Sequence, residues 1–90
     1  MNIDRKVLKG EKMQAHEKVK LIREALGLSQ EKFSERIGIK QRTLSYIESG
    51  TYNINYQFLR HLIQSYGVNI DWFFNDRGEM FEKNITRSKL

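Results

Sequence analysis

Residues 29–49 contain two apolar stripes of helical period, and the phase of the period changes at a single glycine, Gly38. Each stripe predicts a short helix with one buried face, and the glycine supplies the tight turn between them. Because the phase changes at the turn, the two helices must cross at a steep angle. The apolar positions are Phe33 and Ile37 before the glycine, and Ile39, Leu44 and Ile47 after it.

Two helices that meet at roughly 90 to 120° through a short turn form a helix-turn-helix, whose second helix can lie in the DNA major groove. If Leu44 and Ile47 face the core, the outward positions of this helix carry polar side chains that can contact base edges. Glutamine can pair with adenine, arginine with guanine, and a tyrosine ring can pack on a thymine methyl group. The candidate base-reading residues are Gln41, Arg42, Ser45 and Tyr46, with Lys40 at the start of the helix.

The alternative without function is that these are ordinary solvent-facing residues of a surface helix, since polar side chains are mostly exposed. The local charge favours the DNA interpretation. No acidic residue lies between Glu35 and Glu48, whereas Arg36, Lys40 and Arg42 do. A surface that faces phosphates needs such an excess of positive charge.

Length and composition exclude several other classes of protein. Ninety residues make one domain, without room for a second core. The chain has no cysteine, so disulfides, thiolate metal sites and cysteine nucleophiles are excluded. His16 and His61 have no ligand cluster beside them, and no nucleophile–base pair or phosphate-cradling glycine loop is present. We therefore expect a protein that is not an enzyme and binds no metal or cofactor.

The charge distribution divides the chain into a basic N-terminal arm (1–13), a central domain (14–81) and a basic C-terminal tail (82–90), with net charges of +2, +1 and +2. The arm can reach the DNA backbone or a minor groove, or it can be solvated. The chain has neither a signal peptide nor an apolar run of roughly 18 residues, so we expect a soluble, cytoplasmic protein that does not bind membranes.

Helical periodicity and capping residues predict an all-α domain of five helices. They are expected over about 15–26, from the cap Ser29 to the turn at Gly38, from about Lys40 to Ser49, over 56–66 after the cap Asn55, and over about 70–75. No strand-like alternation is present.

Four short motifs in this order resemble the five-helix phage-repressor and Cro-like DNA-binding domains, also called the XRE family, over about residues 15–81. They are Leu28–Phe33, Ile37–Ile39, Ile47–Gly50 and Val68–Trp72. The resemblance implies a lambda-repressor-like fold with its helix-turn-helix at helices 2 and 3, and double-stranded DNA as the partner. Ser34 stands where the family usually has alanine, which costs little if its hydroxyl is paired, and Asn53 lies in a loop that often carries proline.

The resemblance also carries base reading onto Gln41, Arg42 and Tyr46, and phosphate binding onto Gln30. The physics agrees for Gln30, because the N-terminus of a helix favours an anion. Capping or turn roles are the alternative for the other phosphate candidates, which are Thr43, Tyr52, Asn53 and Asn55.

Arg23 and Glu48 match an arginine and a glutamate that pair across the domain in similar proteins, so we expect a structural salt bridge between them rather than direct DNA contacts. Arginine suits such a partly buried bidentate pair.

The region of Ile70, Trp72 and Phe74 forms the two-fold contact in similar repressors, so we expect a homodimer interface there. The alternative for Trp72 is that it completes the core of the monomer. A dimer would hold two recognition helices about one DNA turn apart, roughly 34 Å, and bind a pseudo-palindromic site.

These features together predict a sequence-specific transcriptional regulator, a prokaryotic or phage repressor that occupies an operator as a dimer. The main alternative is an antitoxin that binds a partner toxin and represses its own operon. A third is an adaptor that keeps the fold without binding DNA, which Gln41 and Arg42 disfavour.

Overall fold

The computed structural model describes residues 13–82, which form an all-α domain, so the predicted fold class is confirmed. Its five helices are α1 (Ala15–Ala25), α2 (Gln30–Arg36), α3 (Gln41–Glu48), α4 (Tyr56–Tyr66) and α5 (Ile70–Asn75). None of them combines the length and apolar character that crossing a bilayer requires. Residues 1–12 of the predicted arm and residues 83–90 of the predicted tail lie outside the described residues. The expected DNA contact of the arm therefore stays a prediction.

Side-chain caps explain where α2 and α4 begin. Ser29 Oγ accepts a hydrogen bond from the backbone N–H of Lys32 at 3.1 Å, so Ser29 caps α2 as predicted. Asn55 Oδ1 accepts from the N–H of Phe58 at 2.8 Å, and α4 follows it with the predicted bounds. The predicted bounds of α1 and α3 differ slightly from the observed ones: α1 ends before Leu26, and Lys40 is the residue before α3 rather than its first residue.

After α5 the chain returns to the start of that helix. Val68 and Phe81 form an isolated antiparallel bridge, and the N–H of Asn69 donates to Met80 O at 2.8 Å. The N–H of Glu82, a residue assigned from its sequence to the tail, donates to Gly67 O at 2.8 Å. Backbone hydrogen bonding to the helical domain therefore extends to residue 82.

Within residues 13–82, every helix contributes apolar side chains to the core. Helix α1 packs against α3 and α5, and α2 packs against α3. The buried apolar side chains are Val19, Ile22, Phe33, Ile37, Leu44, Ile47, Phe58, Leu62, Val68 and Phe73. Ala15 of α1 and Ile63 of α4 are apolar but exposed.

An aromatic contact joins α2 to α4. The rings of Phe33 and Tyr66 stack with their centroids 4.5 Å apart. The Tyr66 hydroxyl donates to Phe33 O at 2.9 Å, so the polar end of a half-buried ring is satisfied. Burial raises the pKa of the Tyr66 hydroxyl. This contact keeps the first helix of the helix-turn-helix in a fixed position on the domain.

A buried lysine, which the sequence pattern does not reveal, joins α1 to the end of α5. The Nζ of Lys18 donates to Phe73 O at 2.7 Å and to Trp72 O at 3.1 Å, and it lies 2.7 Å from Asp76 Oδ1. It also lies 5.1 Å from the centroid of the Trp72 ring. A cation at this position satisfies terminal carbonyls and complements the helix dipole. Lys18 thus holds α5 on α1.

Candidate nucleic-acid interface

The turn between α2 and α3 is set by the backbone of Gly38. Its φ is 74°, in the left-handed region, although a Cβ atom there would meet nothing within 4 Å. Glycine is therefore needed for the backbone conformation and not for space. The N–H of Ile39 donates to Ser34 O at 3.0 Å, and buried Ser34 donates its hydroxyl to Glu31 O at 3.0 Å. The serine at the usual alanine position is therefore paired.

Helix α3 presents the polar face that its period predicts. Leu44 and Ile47 are buried on one side. The exposed side carries four of the candidate base-reading residues, and the fifth, Lys40, is exposed just before the helix. The four are Gln41, Arg42, Ser45 and Tyr46. These side chains can therefore meet a base edge without unfolding any packed element.

Arg23 and Glu48 form a nearly buried bidentate ion pair that holds α3 against α1. Arg23 Nε lies 2.7 Å from Glu48 Oε2, and Nη2 donates to Glu48 Oε1 at 3.2 Å. Arg23 Nη1 also donates to Leu28 O at 2.9 Å. The hydrogen bond with Glu48 raises the pKa of the guanidinium, against the opposing effect of burial. The predicted pair is therefore brought together, with Glu48 turned away from the exposed face of α3.

Two glutamines extend this ion pair to the exposed surface. Gln30 Nε2 donates to Glu48 Oε1 at 3.0 Å, and Gln41 Nε2 lies 3.5 Å from Gln30 Oε1. Gln30, which the sequence assigns to phosphate binding, is thus half-buried and hydrogen-bonded to Glu48 and Gln41. The sequence does not reveal the hydrogen bond between Gln30 and Glu48, because the two residues are 18 positions apart. The one available signal is that Gln30 and Gln41 each stand at the first position of a helix.

The loop from α3 to α4 contains most of the other phosphate candidates. Tyr52, Asn53 and Asn55 are exposed, while Thr43 of α3 is half-buried. All four line an open cleft of about 320 Å³ beside the α2–α3 turn. Asn55 takes the capping role that was the alternative for it. The candidates therefore share one side of the domain, next to the start of α3.

The residues expected at a dimer interface differ in exposure. Ile70 and Phe74 are 37% and 59% exposed. They are one helical turn apart on α5 and therefore lie on the same face. Trp72 is half-buried and packs against the core, as its alternative role in the monomer required. Ile70 and Phe74 thus supply the exposed apolar surface of α5.

Comparisons with known proteins agree with this geometry. A family model described as a helix-turn-helix domain matches residues 16–79. The chain is similar to a curated protein of Archaeoglobus fulgidus, named an uncharacterized HTH-type transcriptional regulator, with 27% identity over 67 residues that span 73% of this chain and 94% of the relative. No solved structure gives a significant match.

Within residues 13–82, no group of three or more His, Cys, Asp or Glu side chains is arranged to hold a metal ion.

Proposed function

This chain belongs to the XRE-like helix-turn-helix family, and from that premise we propose that it is a DNA-binding transcriptional regulator that represses by occupying an operator as a dimer. The observation that carries the proposal is the composition of the exposed face of α3. That face is polar and basic, while the acidic residue at the end of the helix, Glu48, is buried in a pair with Arg23. We expect the protein to act in the cytoplasm, where prokaryotic and phage DNA lies.

In this proposal the exposed side chains of α3 read bases in the major groove. Gln41 pairs with adenine, Arg42 pairs with guanine and the Tyr46 ring contacts a thymine methyl group. Lys40 and Ser45 add hydrogen bonds at the edges of the same surface. Because Gln41 is bonded through Gln30 to the Arg23–Glu48 pair, its amide is oriented before DNA binds, which reduces the entropy lost on binding.

The phosphate contacts are proposed for residues that flank this face. They fix the register of the protein on the duplex and carry no sequence information themselves. The proposed residues are Gln30, Thr43, Asn53 and Asn55.

The Arg42→Ala variant tests the base-reading role. We expect it to lose preference at one position of each half-site, by about 1–3 kcal/mol, because a guanine would lose its bidentate partner. The measurement is selection of bound sequences from a random DNA pool at fixed salt concentration. Arg60→Ala is the matched control, since it removes the same charge from an exposed site on α4. Equal and uniform weakening by both variants would reject base reading by Arg42, and no enriched sequence for the wild type would reject the function.

We propose that the dimer forms through exposed Ile70 and Phe74, with the uncovered part of Trp72. Ile70→Asp should raise the dimer dissociation constant about tenfold or more, because a charge would be buried among apolar side chains. Ile63→Asp is the control, since Ile63 is 38% exposed against 37% for Ile70. Analytical ultracentrifugation over a concentration series measures both. Equal dissociation constants for the two variants would place the dimer contact elsewhere.

A further inference from the structure

Two exposed tyrosines form a pair at the C-terminal end of α3. The ring centroids of Tyr46, on α3, and Tyr52, in the following loop, are 4.9 Å apart with the planes tilted by 60°. Both side chains are partly exposed, at 39% and 48%. This is a favourable arrangement for two aromatic rings, whose edges and faces carry opposite partial charge.

The loop backbone is fastened to the same residue. Tyr46 O accepts hydrogen bonds from the N–H groups of Thr51 at 2.9 Å and Tyr52 at 3.1 Å. Ser49 Oγ donates to Tyr46 O at 3.1 Å and lies 2.8 Å from Thr51 Oγ1. The loop therefore cannot carry the Tyr52 ring away from Tyr46 without breaking several hydrogen bonds.

We propose that Tyr52 is a positioning residue for DNA specificity, which acts through its ring by holding the Tyr46 ring in one orientation. The inference rests on the proposed function of α3. An exposed tyrosine with no neighbouring ring samples several rotamers, and only one of them points a given ring edge at a given base. Restricting Tyr46 before binding lowers the entropy that the complex loses. Tyr52 thus contributes to sequence preference without touching a base.

This role differs from the phosphate contact expected of Tyr52 from the sequence. A phosphate contact uses the hydroxyl group and weakens all DNA sequences alike when it is lost. A positioning role uses the ring, so Tyr52→Phe should retain it and Tyr52→Leu should lose it.

The test is position-resolved selection from a random DNA pool with Tyr52→Phe, Tyr52→Leu, Tyr46→Leu and the double leucine variant. We expect Tyr52→Leu to lose about 3- to 10-fold in preference at the same position as Tyr46→Leu, and Tyr52→Phe to match the wild type. The double variant should be no worse than Tyr46→Leu alone, because both changes remove one unit. Uniform weakening by Tyr52→Phe, or additive losses in the double variant, would overturn the proposal.

A second measurement does not depend on DNA. In the isolated protein, NMR three-bond couplings at Tyr46 should report one dominant χ1 rotamer in the wild type and in Tyr52→Phe, and averaged rotamers in Tyr52→Leu. Tyr56→Leu is the control, since Tyr56 is also exposed, at 74%, and lies outside the pair. Averaged couplings in the wild type would overturn the positioning role, whereas a failed selection alone would reject only the DNA-binding function.

Discussion

Lys18→Met should lower the free energy of unfolding by about 3 kcal/mol, because it removes a buried cation that donates hydrogen bonds to two backbone carbonyls and pairs with a carboxylate. The Lys18 side chain is 4% exposed and that of Asp76 is 34% exposed, so the acid can recover part of its solvation when the lysine is lost. Methionine has nearly the same length and retains the apolar packing of the stem. The loss should therefore come from the hydrogen bonds and charge, not from a cavity.

Denaturant unfolding followed by Trp72 fluorescence and by far-ultraviolet circular dichroism measures this effect. Lys20→Met is the matched control, because Lys20 is exposed on the same helix and should change stability by less than about 0.5 kcal/mol. Similar stabilities of the two variants would mean that Lys18 does not hold α5. If it does, Lys18→Met should also weaken dimers formed through Ile70 and Phe74, since those residues are carried by α5.

Glu48→Ala should also lower the free energy of unfolding by about 3 kcal/mol, because it leaves the Arg23 guanidinium without its carboxylate in a nearly buried site. The side chains of Arg23 and Glu48 are 14% and 5% exposed, so water can restore little of the lost interaction. The hydrogen bond from Arg23 to Leu28 O remains and limits the loss. Glu35→Ala, which removes an exposed carboxylate from α2, is the control and should have little effect.

A double-mutant cycle separates this ion pair from general damage to packing. Arg23→Met combined with Glu48→Met should be less destabilised than the sum of the single variants, because no unpaired charge remains. Additive losses would show that the two residues act independently. Glu48→Ala should in addition reduce DNA preference at the base read by Gln41, since Gln30 would lose the acceptor that orients it.

The helix-turn-helix itself could be predicted because its signals are local. The apolar stripe of α3 is set by Leu44 and Ile47, so the exposed positions follow from helical geometry alone. The start of α4 follows from Asn55, whose side chain replaces a missing backbone partner. Such signals involve residues three or four positions apart, and a sequence contains them directly.

Lys18 illustrates what local pattern cannot provide. A lysine beside a buried valine in α1 has the pattern of a solvated position at the edge of an amphipathic helix. Two of its partners, Trp72 and Phe73, are more than 50 residues away, and they accept its hydrogen bonds through their backbone carbonyls. Since every residue has a carbonyl, side-chain identity carries no signal for such a contact.

The sequence by itself determined the helices, the turn at Gly38 and the polar face of α3, because periodicity, caps and glycine conformation act within a few residues. It also indicated the Arg23–Glu48 pair, through resemblance to a family. Only the tertiary structure decided that Gln30 joins this pair, that Lys18 is buried beneath α5 and that Tyr52 lies against Tyr46. Those contacts depend on how the helices and the α3–α4 loop come together in space, and packing of the whole domain sets that arrangement.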